Sequence, residues 1–290
     1  MKNIFILRKL DDMSNPELEL HVNHIIANCS HYNKKVLTDE SQCEEDTLII
    51  SLGGDGTMLY ACGLSAKYGS LVVGINLGNL GFLTPFTSDF LYTEEFKYLI
   101  NSEGYRSAYI SNFRIMKRNL LSTKLYDEDM NLVSVDALNE FVLTCKNSRG
   151  VLQYTIDIVD RNGNSSFMGN HTSSGIVIAT PTGSTAYSLN IGGCIISPDA
   201  NVLQIQHISP ASMSTRPIVL GNSNQIRIEL TSIKNGGGLS LRKDGQEVSL
   251  GTNACYVFKS CENICSTIIP KDLNHFSILS EKLGWNKHYI

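Results

Sequence analysis

The chain has 290 residues, 42% of them hydrophobic and 18% charged, with a formal net charge of −4. That balance supports a sizeable core and excludes a disordered or fibrous chain, and the lack of a basic surplus argues against a nucleic-acid partner. No apolar run approaches the ~18 residues of a membrane span, and the apolar start Ile4–Leu7 is too short for a signal peptide, so no membrane partner is expected.

In chain order, Ile4–Leu7 reads as a strand, and Glu17–Asn28 as a helix with Leu18, Val22, Ile25 and Ile26 at helical spacing. A strand at Leu48–Leu52, a helix at Met58–Lys67, a strand at Leu71–Ile75 and a helix at Asp89–Asn101 follow. This alternation predicts an α/β N-terminal domain with a parallel sheet over residues 1–103. Beyond Tyr105 the runs Arg114–Leu121, Phe141–Cys145, Leu152–Val159, Ile176–Ala179, Gln225–Leu230 and Tyr256–Phe258 are strand-like. Asp160-Arg161-Asn162-Gly163 signals a hairpin, and Asn235–Gly238 a flexible loop. Residues 104–270 are therefore expected to form a β-rich C-terminal domain. The tail 271–290, with the single tryptophan Trp285, is expected to pack back on a domain or a partner. The eight cysteines are too dilute for a disulfide scaffold. Cys62, Cys145, Cys194 and Cys255 sit in apolar runs, where a thiol is a small hydrophobe, and a reducing cytoplasm is the expected location.

The most informative local feature is Leu52-Gly53-Gly54-Asp55-Gly56-Thr57, between a buried strand and a helix. Glycines there let backbone N–H groups approach an anion, and the helix dipole favours negative charge. An aspartate repels phosphate, so Asp55 either faces a hydroxyl or a metal, or caps the helix. Neither G-x-x-x-x-G-K-[ST] nor G-x-G-x-x-G is present here, which argues against a Walker loop and a Rossmann dehydrogenase. A second glycine motif, Gly74–Leu83, reads as a loop packing near the first. The adjacent amide and carboxylate of Asn139-Glu140 could hold two neighbouring ribose hydroxyls, although the dipeptide alone reads as an ordinary surface pair. Thr180–Asn190 is dense in hydroxyls after a buried strand; a serine/threonine turn is one reading, but the density favours Thr182, Ser184 and Thr185 lining a nucleotide site, with the Tyr187 ring beside a base. Arg216, Arg242 and Lys243 read as solvated charges and His207 as a hydrogen-bonded strand-end histidine. Cys255, Cys261 and Cys265 lack zinc-site spacing.

Taken together, Gly53–Thr57, Leu77–Leu83, Asn139-Glu140, Thr180–Tyr187 with Gly192-Gly193, Ser214–Pro217 and Asp244–Gln246 resemble the NAD kinase family in residues and order. The resemblance implies a two-domain fold and the reaction ATP + NAD → ADP + NADP, with Mg²⁺ on the ATP phosphates. It further implies Asp55 as the base toward the adenosine ribose 2′-hydroxyl, and Gly53, Gly54, Gly56 and Thr57 as phosphate-holding. Asn139 and Glu140 would hold ribose hydroxyls. Thr185, Ala186, Tyr187 and Gln246 would contact nucleotide. A homodimer or homotetramer is implied as well. The chain departs from the family pattern at Thr172, Ser174, Asn190 and Cys194; Ser174 and Asn190 are taken as NAD contacts altered by these changes. Two rivals stand beside this reading. A lipid or sugar kinase would share only the first loop, and a catalytically weak NAD(P)-binding sensor would bind without turnover.

Overall fold

The computed structural model describes residues 2–8, 15–78, 81–101, 112–126, 131–235, 237–248 and 254–285. The chain divides into two compact units, Met1–Lys117 with Ile264–Ile290, and Arg118–Asn263. The boundary expected after residue 103 lies outside the described residues, as does Gly236 of the expected flexible loop.

The first unit begins β1 (Asn3–Arg8), α1 (Pro16–His31), β2 (Lys35–Leu37), β3 (Thr47–Leu52), α2 (Asp55–Tyr68), β4 (Leu71–Asn76), β5 (Phe86–Thr87) and α3 (Glu94–Asn101). Its strands pair in parallel: β1 with β2 and β3, β3 with β4, and β4 with β5. Every residue of β3 and β4 is buried, which explains why these runs are mostly apolar instead of alternating, with Thr47, Ser51 and Asn76 the polar exceptions. Asn15 caps α1 by accepting the Glu17 N–H at 3.0 Å, with Pro16 in the first turn. The helix then lays Leu18, Val22 and Ile25 against Ile4, Leu48, Ile50 and Val73. The helix expected over Asp89–Asn101 is split instead. A 3₁₀ turn covers Ser88–Tyr92, and α3 starts after Thr93. The cause is Thr93, whose Oγ1 accepts the Phe96 N–H at 3.2 Å and so caps a fresh helix.

The chain passes into the second unit at Arg118, within β6 (Phe113–Tyr126), and continues with β7 (Leu132–Ala137), β8 (Glu140–Cys145), β9 (Val151–Val159), β10 (Ser165–Ala179), the one-turn α4 (Tyr187–Asn190), β11 (Val202–Pro210), β12 (Ile218–Gly221), β13 (Gln225–Lys234), β14 (Leu239–Lys243), β15 (Gln246–Glu247) and β16 (Cys255–Pro270), which returns to the first unit at Ile264. The path β15-β14-β8-β10-β9-β13-β16 is antiparallel throughout. Only the last four residues of β10, Ile176–Ala179, form the continuous apolar run read as a strand from sequence. Its first half, polar apart from Phe167 and Met168, pairs with β9, while Gly175–Ala179 pairs with both β8 and β11. The Asp160 turn joins β9 to β10: its carboxylate accepts the Asn162 and Asn164 N–H groups, and Gly163 takes φ 85°. Phe141, Tyr154, Ile156, Ile178 and Phe258 sit in this unit's core.

His207 lies inside β11, not at a strand end, with Nδ1 2.6 Å from the Tyr154 hydroxyl. Burial, then the neighbouring His171, push its pKa down to about 4, so the imidazole is neutral at ordinary pH. In the first unit, residues Ser266–Ile268 of β16 run parallel to Leu71–Val73 of β4. α5 (His275–Leu283) follows and buries Ile278 and Leu279, while Trp285 remains 58% exposed. Two cysteines depart from the apolar expectation: Cys194 and Cys255 are exposed, whereas Cys62 and Cys145 are buried. Apolar neighbours in sequence alternate between faces of a sheet or lie in turns, so they do not by themselves bury a thiol. Among the described residues no helix is long and apolar enough to cross a membrane.

Candidate active site

Two carboxylates dominate the candidate residues, Asp55 in the first unit and Glu140 in the second. At the end of β3 the chain turns through Gly53, at φ 150°, which donates its N–H to the Ile75 carbonyl at 3.0 Å. A Cβ on Gly53 would lie 2.5 Å from Thr57 Oγ1. Gly54 caps α2 without any side-chain acceptor, so the first helical N–H groups have no side-chain partner from the cap. A Cβ on Gly54 or Gly56 meets nothing within 4 Å, leaving the loop open above its donors. An open helix start of this kind suits an anion.

Asp55 is the first residue of α2 and not its cap. Its carboxylate turns to the second glycine motif. Oδ2 accepts the Phe82 N–H at 2.9 Å; Oδ1 accepts the Leu83 N–H at 3.0 Å and the Thr84 hydroxyl at 3.2 Å. Gly81 is obligatory, because a Cβ there would sit 2.0 Å from Asp55 Oδ1. The second motif is thus a cradle for a carboxylate, which sequence spacing alone did not reveal. Its Asn79 and Leu80 lie outside the described residues.

In the second unit Glu140 opens β8 at 4% exposure, and Asn139 before it is half-buried. Their turn is held by Asp244, whose carboxylate accepts the N–H groups of Leu138 at 2.9 Å, Asn139 at 2.7 Å and Glu140 at 3.3 Å. Asp244 and Gly245 take φ 47° and 80° between β14 and β15, the left-handed pair of a tight two-residue hairpin. Burial pushes the Glu140 carboxyl up to about 7; the Asp244 charge adds to this, and a hydrogen bond from the Tyr187 backbone opposes it. Glu140 Oε2 is buried with no hydrogen-bond partner, an acceptor that a ligand hydroxyl would satisfy. It lines a cavity of about 560 Å³ with Val142, Lys146, Tyr187, Arg242 and Glu247.

The hydroxyl-rich stretch is turned mostly inward. Thr180 donates its hydroxyl to the Leu138 carbonyl at 2.5 Å, and Thr182 accepts from Arg118 at 3.2 Å. Ser184 is 0% exposed; its hydroxyl donates to the Pro181 carbonyl and accepts the Ile196 N–H. These hydroxyls therefore build the turn and offer a ligand little, contrary to the expectation for Thr182 and Ser184. Gly183 is pressed onto Asn139, where a Cβ would lie 2.1 Å from the carbonyl oxygen. The surface left by this packing is Thr185 and Ala186, half-buried, and Tyr187 and Asn190, exposed. Ser174 is half-buried on β10, and Gln246 is exposed opposite Lys243. Asp244 and Asn76 stood inside motifs read from the sequence but were given no role there, and Thr84 was not singled out at all. Among the described residues no cluster of three His, Cys, Asp or Glu side chains is arranged to hold a metal.

The chain matches the ATP-NAD kinase N-terminal domain over residues 11–102 and the ATP-NAD kinase C-terminal domain over residues 138–268. NAD kinases of Escherichia coli O1:K1 and Blochmanniella floridana are each 34% identical, over 245 and 250 residues, spanning 84% of this chain and 78% of theirs. Among solved structures, yeast NADH kinase complexed with NADH has a TM-score of 0.81 at 24% identity, covering 100% of this chain and 89% of that one. An NAD kinase from Archaeoglobus fulgidus in complex with ATP has a TM-score of 0.68 at 20% identity, covering 97% and 98%. Those two likenesses bear on the fold, and the sequence matches bear on kinship: the chain belongs to the ATP-NAD kinase family.

Proposed function

We infer that this chain transfers the γ-phosphoryl group of ATP to the adenosine ribose 2′-hydroxyl of NAD, giving ADP and NADP. The observation that carries the reading is Asp55, fixed by three donors beside an open glycine loop at the start of α2. Gly53, Gly54, Gly56 and Thr57 hold phosphate there through backbone N–H groups. Mg²⁺ would come with ATP to the phosphate loop Gly53–Thr57 and would supply charge neutralisation during transfer. Asn139 and the unsatisfied Glu140 bind ribose hydroxyls. Thr185, Ala186, Tyr187, Asn190, Ser174 and Gln246 contact the dinucleotide, a role that the cavity lined by Glu140 and Tyr187 supports for Tyr187.

In the reacting complex the 2′-oxygen bonds to the γ-phosphorus as the bond from that phosphorus to the bridging oxygen breaks. ADP carries away the negative charge. Asp55 orients the hydroxyl and takes its proton late, because a loose transition state places little demand on the nucleophile until the phosphoryl group is nearly transferred. A homodimer or homotetramer fits the exposed Met213, Ile218 and Val219 on and before edge strand β12, and a reducing cytoplasm fits the exposed thiols of Cys194 and Cys255.

The test is to incubate the protein with ATP, Mg²⁺ and NAD and follow NADP with an NADP-specific dehydrogenase. Asp55→Asn is expected to lower kcat by ~10²–10⁴-fold with NAD binding kept. A loss under about tenfold would remove Asp55 from the role of base.

A further inference from the structure

The Asp55 carboxylate is asymmetrically loaded. Oδ1 accepts two hydrogen bonds, from Leu83 and Thr84, and Oδ2 accepts one, from Phe82. A carboxylate oxygen has about two lone-pair directions, so Oδ1 is filled and Oδ2 keeps one vacancy. The hydroxyl that completes Oδ1 has no choice of direction. Thr84 Oγ1 accepts a hydrogen from Asn76 Nδ2 at 2.7 Å, and the Asn76 amide is itself oriented, because its Oδ1 accepts the Gly78 N–H at 2.8 Å. A backbone N–H can be met only by the amide oxygen, which leaves the amide nitrogen facing Thr84 and the Thr84 proton for Asp55. Thr84 is 0% exposed and Asn76 5%, so water does not compete for either group.

We propose that Asn76 and Thr84 are positioning residues that saturate Asp55 Oδ1 and thereby direct proton uptake during NAD phosphorylation to Oδ2. The proposal rests on Asp55 being the base. The ribose 2′-hydroxyl gives its proton to the open lone pair of Oδ2, and the electron pair of the broken O–H bond forms the new bond to phosphorus. Neither Asn76 nor Thr84 touches substrate; both act through the geometry of Asp55.

Thr84→Val keeps the side-chain shape and removes the donor. Asn76→Asp presents an acceptor to Thr84, which then turns its proton away from Asp55. Each is expected to lower kcat by ~10–100-fold, the equivalent of one hydrogen bond to a charged group, with KM for NAD and ATP little changed. The double variant should lose no more than the worse single, since both break one chain of donors. Thr84→Ser, which restores the donor, should recover most of the rate; a residue that only fills space would not be rescued this way. Wild-type kcat in Thr84→Val, a loss in Thr84→Ser as large as in Thr84→Val, or an effect confined to KM would each overturn the proposal. Asp55→Asn measured in parallel separates the two levels. Full activity there defeats the base assignment itself, whereas a large loss beside an unaffected Thr84→Val defeats the relay alone.

Discussion

The two units place one carboxylate each among the candidate residues, and they treat it in opposite ways. Asp55 accepts three hydrogen bonds from a loop 27 to 29 residues further along the chain. Glu140 is buried at 4% exposure with one oxygen unsatisfied and its carboxyl pushed up to about 7. A carboxylate rich in donors is held in one rotamer, which suits a group that must aim at a hydroxyl. A buried carboxyl short of donors is costly until a partner supplies them, which suits a group whose task is binding. Between them the fold spends its hydrogen bonds on orientation at Asp55 and withholds them at Glu140. Around Glu140 the donors go to the backbone instead: Asp244 ties down three successive N–H groups and leaves the side chain free to face the cavity.

Gly81→Ala should break the first half hardest. Its Cβ would lie 2.0 Å from Asp55 Oδ1, and an ångström of misplacement at a reacting group costs on the order of 10²-fold. The expected result is a ~100-fold drop in kcat with near-wild-type KM for NAD; a change of KM alone would show that Gly81 shapes the binding surface and not Asp55. Asp244→Asn addresses the other half. Asparagine tolerates the φ of 47° at this position, so the turn persists while the carboxylate clamp is lost. KM for NAD should rise about tenfold with kcat kept, the inverse of the Gly81→Ala pattern. Steady-state kinetics in which both variants move the same parameter would erase the division of labour drawn here.

The smallest expected effect is on stability. The folded-state value of Glu140 is raised, so the proton favours the folded form; its contribution is full below the ordinary value of 4.5 and is lost as pH rises through about 7. His207 runs the other way. Its folded value is lowered to about 4 from 6.5, so its contribution is present above 6.5 and is lost as pH falls through about 4. Each shift corresponds to roughly 3 kcal/mol, and over the shared window the two slopes oppose each other. Glu140→Gln should therefore expose the His207 slope. Urea unfolding of the variant is expected to lose roughly 3 kcal/mol between pH 7 and pH 4 where the wild type changes little. A variant curve as flat as the wild type would mean that Glu140 does not bury a titrating proton.

Much of this was legible in the residues. Continuous apolar runs at Leu48–Leu52 and Leu71–Ile75 are what a strand buried on both faces requires, and both are strands of the parallel sheet. The glycine loop was legible because glycines at a strand-to-helix turn let backbone N–H groups approach an anion, and the structure adds that Gly53 takes φ 150° beside Thr57. The split at Thr93 was missed because a cap competes with helical periodicity at a single residue. The inward turn of Thr182 and Ser184 was the second of two readings, because a hydroxyl in a list of letters looks equally available to a ligand and to a carbonyl. Asp244 reaches Leu138, Asn139 and Glu140 across 104 to 106 residues of chain, a separation at which local pattern carries no information. The sequence by itself determined the fold class, the family and which short motifs matter, since these follow from propensity, periodicity and motif chemistry over a few residues. Which oxygen of Asp55 is full, which oxygen of Glu140 is empty, and what holds each in place were decided only by the tertiary structure, because hydrogen-bond satisfaction depends on groups brought together in space.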